Sequence, residues 1–377
     1  MTVRRRAVAC LLAALVVAGA VVGARALLAR RRDERGPDPA LSAELQAVIP
    51  QLEAFVEGAR GLTFLTPVKV SVLGDAAFRR KVNEGNPADS DADQVETGFL
   101  RALGLVGAKD HVGSGDVLEP DEVDGYYDSD SKELVVRGAR PTPFVRQVLV
   151  HELTHALDDQ HFGIDADVQD DEAQLAYDAL VEGDATSVEY RYVGSLSAAE
   201  QRQAADEDAA GSGGGSTDYD PLADLADFPY VDGPDFIDAL VAAGGQARVD
   251  EAFRHPPTTS AEILHPDLFL SGRGRSPVPH VAADGRDLDD GVVGEYLLGL
   301  VLAETVPQDQ ADRAVAGWAG DEYVEWRTGR RYCVRTTVVL GSPAEVTELA
   351  AALHSWAADH KGATVDVSSS VTFTRCA

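Results

Sequence analysis

The stretch PTPFVRQVLVHELTHALDDQHF, residues 141–162, constrains this chain more than any other part of it. Pro143 suits the first turn of a helix, where its missing N–H would have no partner anyway, and the residues after it carry a helical apolar period. Residues four apart on a helix project from one face, so His151 and His155 can present both imidazoles to a single metal ion. Glu152 stands about a hundred degrees round from His151. That is near enough to reach a water on the ion without ligating the ion itself. Upstream, GYYDSDSKELVVRG (125–138) reads as a β-hairpin turning at Asp-Ser-Asp-Ser.

The pattern His151-Glu152-x-x-His155 is similar to the H-E-x-x-H helix of zincin metallopeptidases. That resemblance implies Zn²⁺ as the cofactor and Glu152 as the general base. Zinc lowers the pKa of water towards about 7, and a carboxylate beside it can move the proton to a leaving amine.

Two branches of that family differ in the third ligand. His161 has the spacing of the metzincin third histidine, but Asp158 stands where their glycine belongs, and the only methionine is Met1, which leaves no methionine turn. Its place at the helix end suits the negative end of the helix dipole. The gluzincin branch takes a glutamate from a following helix instead. The helical segment EAQLAYDALVEGDATSVEYRYVGSL supplies Glu182 beside Gly183, and a glycine there suggests close approach of this helix to the motif helix. Glu182 is therefore the expected third ligand, with Asp178 and Glu189 as substitutes. Asp184, Asp158 and Asp159 compete to orient the histidines. Tyr190, Tyr192, His265 and His280 qualify by type alone as oxyanion donors, and none is assigned. His255 reads as loop structure.

More widely, the chain resembles poorly characterised exported bacterial zincin-like proteins in HELTHALDDQHF and ALVEGDAT. The likeness is looser in FPYVDGPDFIDALVAAGG, PPTTSAEILHP and AGWAGDEY. It departs from better-known gluzincins in the longer gap before Glu182 and in the E-G-D-A-T surroundings.

The expected fold class is α+β and zincin-like: a small mixed sheet with the motif helix, then a mostly helical lobe, then a C-terminal α+β segment. Residues 1–32, with basic MTVRRR ahead of an uncharged run at 7–24, form either a cleavable export signal or a membrane anchor. Residues 40–305 are assigned to the catalytic unit and 306–377 to the C-terminal segment. The Gly-Ser run at 211–220 reads as a flexible loop or linker, and a proline at position 50 is expected to break or kink the first helix. Cys333 and Cys376 lie in strand-like runs that can pair, and a bridge between them suits a chain outside the cytoplasm.

A net charge of −30 over 377 residues lacks the basic footprint of nucleic-acid binding. The expected function is a zinc-dependent metallopeptidase acting outside the cytoplasm, secreted or membrane-anchored, on a peptide or protein substrate. The alternative is an exported zinc-binding or interaction protein that keeps the scaffold without turnover.

Overall fold

A computed structural model describes residues 39–377, apart from 86–90, 111, 113–124, 139, 166–167, 169 and 212–219. The N-terminal segment 1–32 with Cys10, and most of the Gly-Ser run, lie outside the described residues. Leu45, Ile49, Leu52 and Val56 recur at helical spacing and are buried along helix α1 (Pro39–Arg60). The expected break at Pro50 does not occur. The apolar face continues on both sides of the proline and outweighs the one hydrogen bond it removes.

Strand β1 (Lys69–Leu73), helices α2 (Asp75–Gly85) and α3 (Asp91–Leu103), and the hairpin β2 (Gly125–Asp128) and β3 (Glu133–Arg137) follow. The sheet order is β1-β3-β2, with β1 parallel and β2 antiparallel to β3. The motif helix α4 (Pro143–Phe162) starts at a Thr142 cap whose hydroxyl accepts from Val145 N–H. It buries Leu149, Leu153 and Leu157 with Leu134 and Val136 of the sheet and the apolar face of α1.

Helix α5 (Asp171–Ser195) begins at an Asp170 cap and runs beside α4. Helices α6 (Ala198–Gly211), α7 (Pro221–Val231), α8 (Gly233–Gly244), α9 (Gln246–Arg254), α10 (Ser260–Leu264) and α11 (Pro266–Ser271) complete the helical lobe. Its core joins Phe228, Phe236, Ile237 and Phe253 to Leu175, Ala179 and Leu180 of α5.

The remainder comprises β4 (Arg286–Gly291), α12 (Glu295–Ala303), α13 (Gln308–Val315), β5 (Trp318–Thr328), β6 (Arg331–Leu340), α14 (Pro343–Asp359), β7 (Thr364–Val367) and β8 (Val371–Cys376). Its strands form one antiparallel sheet in the order β4-β5-β6-β8-β7. The chain is thus α+β. Strand β4 lies ahead of the boundary drawn at residue 306, and the final run 363–376 is a hairpin turning at 368–370. Helix α3 packs on this C-terminal sheet and helix, although it follows β1 in sequence. The buried Trp356 indole donates to the Leu103 carbonyl at 3.0 Å. Cys333 and Cys376 are register partners on β6 and β8 and are disulfide-bonded. Among the described residues no helix is long and apolar enough to cross a membrane.

Glu325 on β5 is buried, and its Oε1 has no hydrogen-bond partner. Burial first, and the Asp289 charge second, push its carboxyl up to about 8. An unfolded glutamate loses its proton near pH 4.5, so the folded form is penalised progressively from there up to about pH 8, and not below it. Glu325→Gln is expected to raise stability by on the order of 2 kcal/mol at pH 8 and by less than half of that at pH 5. Urea midpoints of both proteins at the two pH values measure this; equal gains would show that the ionised carboxylate is not the cause.

Candidate metal centre

Helices α4 and α5 lie side by side and aim three side chains at one point. Glu182 Oε2 lies 3.1 Å from His151 Nε2 and 3.3 Å from His155 Nε2. The three ligand atoms all fall within 4.8 Å of one another, and all three residues are buried. Tetrahedral zinc with bonds of about 2.0–2.2 Å sets its ligand atoms roughly 3.3–3.5 Å apart, so the group needs little adjustment to close on an ion. It is the one group of this kind among the described residues.

The electrostatics also call for a cation. Burial alone would lower the pKa of His151, but Glu182 on one ring nitrogen and Glu189 on the other outweigh it and lift it to about 10. Burial would likewise raise Glu182, yet the charge of His155 and the bonds from both rings hold it down near 2. Two buried rings and a buried carboxylate share positive charge that either protons or a metal can supply. The donor set of two imidazoles and one carboxylate fits zinc.

Glu189, considered above as a substitute ligand, does a different job. Its Oε2 lies 3.0 Å from His151 Nδ1, and its Oε1 accepts from Gln147 at 2.6 Å. A ring N–H donated there leaves Nε2 free to ligate. Asp184 and Asp158 do not touch the histidines. Both lie against the fully buried Arg60 guanidinium, at 2.5 Å and 3.0 Å, and Asp250 joins them at 3.3 Å. Arg60 therefore ties the two ligand-bearing helices together through residues close behind His155 and Glu182. Burial and the neighbouring Asp184 push Asp158 well above its ordinary range despite Arg60. Asp159 is occupied by the Tyr127 hydroxyl at 2.6 Å and by Lys132. His161 bonds the Thr63 carbonyl at 2.8 Å and is no part of the metal group.

Glu152 is buried beside the three ligands, and its Oε2 accepts from the Tyr127 backbone N–H at 2.7 Å. Tyr127 belongs to β2, the edge strand of the first sheet, so the hairpin fixes the carboxylate from the side opposite the histidines' helix. Burial raises the Glu152 pKa, although the two histidine charges oppose it. A carboxyl moved towards neutrality suits general base chemistry.

None of the four candidate oxyanion donors reaches the group. Tyr190 is exposed and Tyr192 packs edge-on against Phe55 in the core. His265 and His280 bond Glu295 and Glu322. The structure brings Tyr230 instead, from the end of α7. Its ring lies 6.5 Å from that of His151, centroid to centroid. Its buried hydroxyl makes no hydrogen bond of good geometry, and Glu182 is the carboxylate it faces. Burial, then the charges of Glu182, Asp178 and Glu152, hold that hydroxyl well above its usual range, which keeps it a neutral donor.

Gly183 explains how Tyr230 arrives there. A side-chain carbon at Gly183 would stand 2.6 Å from the Gly233 carbonyl oxygen and 2.7 Å from its Cα. The close approach expected of Gly183 is therefore made to the start of α8, not to the motif helix. Glycine on glycine sets the α7–α8 turn against α5 beside Glu182, three residues after Tyr230. Asp178, one turn before Glu182, is also buried: its Oδ1 accepts from Gln174 at 2.8 Å, and its Oδ2 has no partner. Burial, followed by the Glu182 charge and offset in part by Gln174, raises it to about 8.

Residues 280–375 match a family described as a domain of unknown function, DUF8575. That match covers the C-terminal sheet and α14 and stops short of the metal group. No curated protein and no solved structure matches the chain.

Proposed function

We propose that the chain is a zinc-dependent metallopeptidase with a zincin-like catalytic unit, working outside the cytoplasm. One observation carries this reading: His151, His155 and Glu182 converge with no fourth protein ligand among the described residues, and Glu152 is held beside them. Structural zinc sites are closed by four protein ligands and have no use for such a carboxylate, whereas catalytic sites keep a position open.

Zinc bound by His151, His155 and Glu182 would polarise a peptide carbonyl and acidify water. Glu152 takes the proton from the attacking water through its carboxylate and returns it to the leaving amine. The Tyr127 N–H keeps that carboxylate turned towards the ligands. Tyr230 donates its hydroxyl to the oxygen on which negative charge develops. Glu189 holds the tautomer and tilt of His151. The disulfide between Cys333 and Cys376 supports an oxidising compartment, since such bonds do not persist in a reducing cytosol. The N-terminal segment would then serve as the export signal or anchor.

Profiling the purified chain against an unbiased peptide library tests this. Cleavage that a chelator abolishes and added zinc restores is the expected result. Saturable zinc binding with no cleavage of any peptide would overturn it in favour of a non-catalytic zinc-binding protein.

A further inference from the structure

We propose that the Asp178 carboxylate receives the free ammonium group at the N-terminus of a peptide substrate, so that the chain trims peptides from that end. This rests on the metallopeptidase reading above. Asp178 and Glu182 are four residues apart on α5 and share a helix face. Asp178 is only 4% exposed, and Oδ2 has no partner while Oδ1 is held by Gln174. A buried carboxylate with an unused oxygen is unfavourable, and the partner that relieves it most is a cationic N–H donor. The Tyr230 hydroxyl feels the charges of Glu182 and Asp178 together, which puts it near both carboxylates.

The dimensions favour a chain end over a basic side chain. One helical turn spans about 5.4 Å. With a substrate carbonyl directed at the ligand group, the α-nitrogen of the same residue lies roughly 2.5 Å from the carbonyl carbon. A charge-assisted bond of about 2.8 Å completes the span to Asp178. A lysine ammonium, roughly 6 Å out on its four-carbon stem, overshoots it. The ligands and Asp178 are all buried, and a chain end needs less room than a chain passing through. The covering segment 221–238 carries Asp224, Asp227, Asp232, Asp235 and Asp238 and no Lys or Arg, a field that attracts cations.

The test is calorimetric titration of the zinc-loaded full chain with leucine hydroxamate and with N-acetyl-leucine hydroxamate. Both offer the same metal-binding group, and only the first carries an ammonium. The free amine is expected to bind at least about tenfold more tightly. Asp178→Asn should reduce that preference to about twofold or less, with zinc affinity unchanged and melting temperature not lowered. Equal affinities in the wild type, binding of neither compound, or a preference that survives in Asp178→Asn would overturn the proposal. Tighter binding of N-acetyl-lysine hydroxamate than of leucine hydroxamate, lost in Asp178→Asn, would reassign the carboxylate to a basic side chain and also overturn it. The wild-type comparison needs no variant to fold. A failure of the peptidase reading is seen separately, as wild-type protein that binds zinc and hydroxamate but cleaves no library peptide.

Discussion

Replacing Glu152 with glutamine is expected to lower kcat by at least about a thousandfold while the chain still binds one zinc ion. The amide keeps the volume of the side chain, and its oxygen can still accept the Tyr127 N–H that now bonds Oε2. What it lacks is the ability to take and return a proton. Zinc content should not fall, because Glu152 is no ligand. Stability should rise, because burial already disfavours the ionised Glu152 carboxylate and a neutral amide removes that penalty. Steady-state cleavage of one library-derived peptide, with zinc measured on the same samples, checks both halves. A variant within tenfold of wild type would remove Glu152 from the mechanism.

Gly183→Ala should be the most damaging single-methyl change in the helical lobe. The added carbon would meet the Gly233 carbonyl oxygen and Cα at 2.6 and 2.7 Å. Both are backbone atoms, so no side-chain rotation relieves the overlap. Helix α8 must move away from α5, taking Tyr230 from the ligands and loosening Phe236 and Ile237 from their core. A loss of about 3 kcal/mol or more is expected. Gly194→Ala on the same helix is the control, since nothing lies within 4 Å of its position. There the better helix propensity of alanine should add up to about 1 kcal/mol. Thermal unfolding of the two variants should move in opposite directions. If Gly183→Ala were as stable as wild type, the glycine contact would not be what seats α8.

The candidate metal ligands were legible because each is written in local spacing. His151 and His155 are fixed by the helix period, and Glu182 stands out as an acidic residue beside a glycine in an apolar helical run. The structure brings the three together, with Glu189 where Asp158, Asp159 or Asp184 had been considered. Contacts between distant segments were not legible. Nothing near Arg60 says that it will lie under Asp158, Asp184 and Asp250. Tyr230 becomes a site residue only when Gly233 docks on Gly183, and no pattern around FPYVDGP announces that pairing. Strand β4, RDLDDG, has almost no apolar alternation and forms because β5 offers it a partner. The pairing of Cys333 with Cys376 was open in the sequence, and β6–β8 register closes it.

The most direct test of the central claim is zinc titration of the purified chain beside Glu182→Gln and His161→Ala, with X-ray absorption at the zinc edge on the loaded wild type. The account predicts one tightly bound zinc per chain, a first shell of two imidazole nitrogens and oxygen donors, affinity at least about a hundredfold weaker in Glu182→Gln, and no change in His161→Ala. Zinc that binds Glu182→Gln as tightly as wild type, or a third imidazole that disappears with His161, would contradict it.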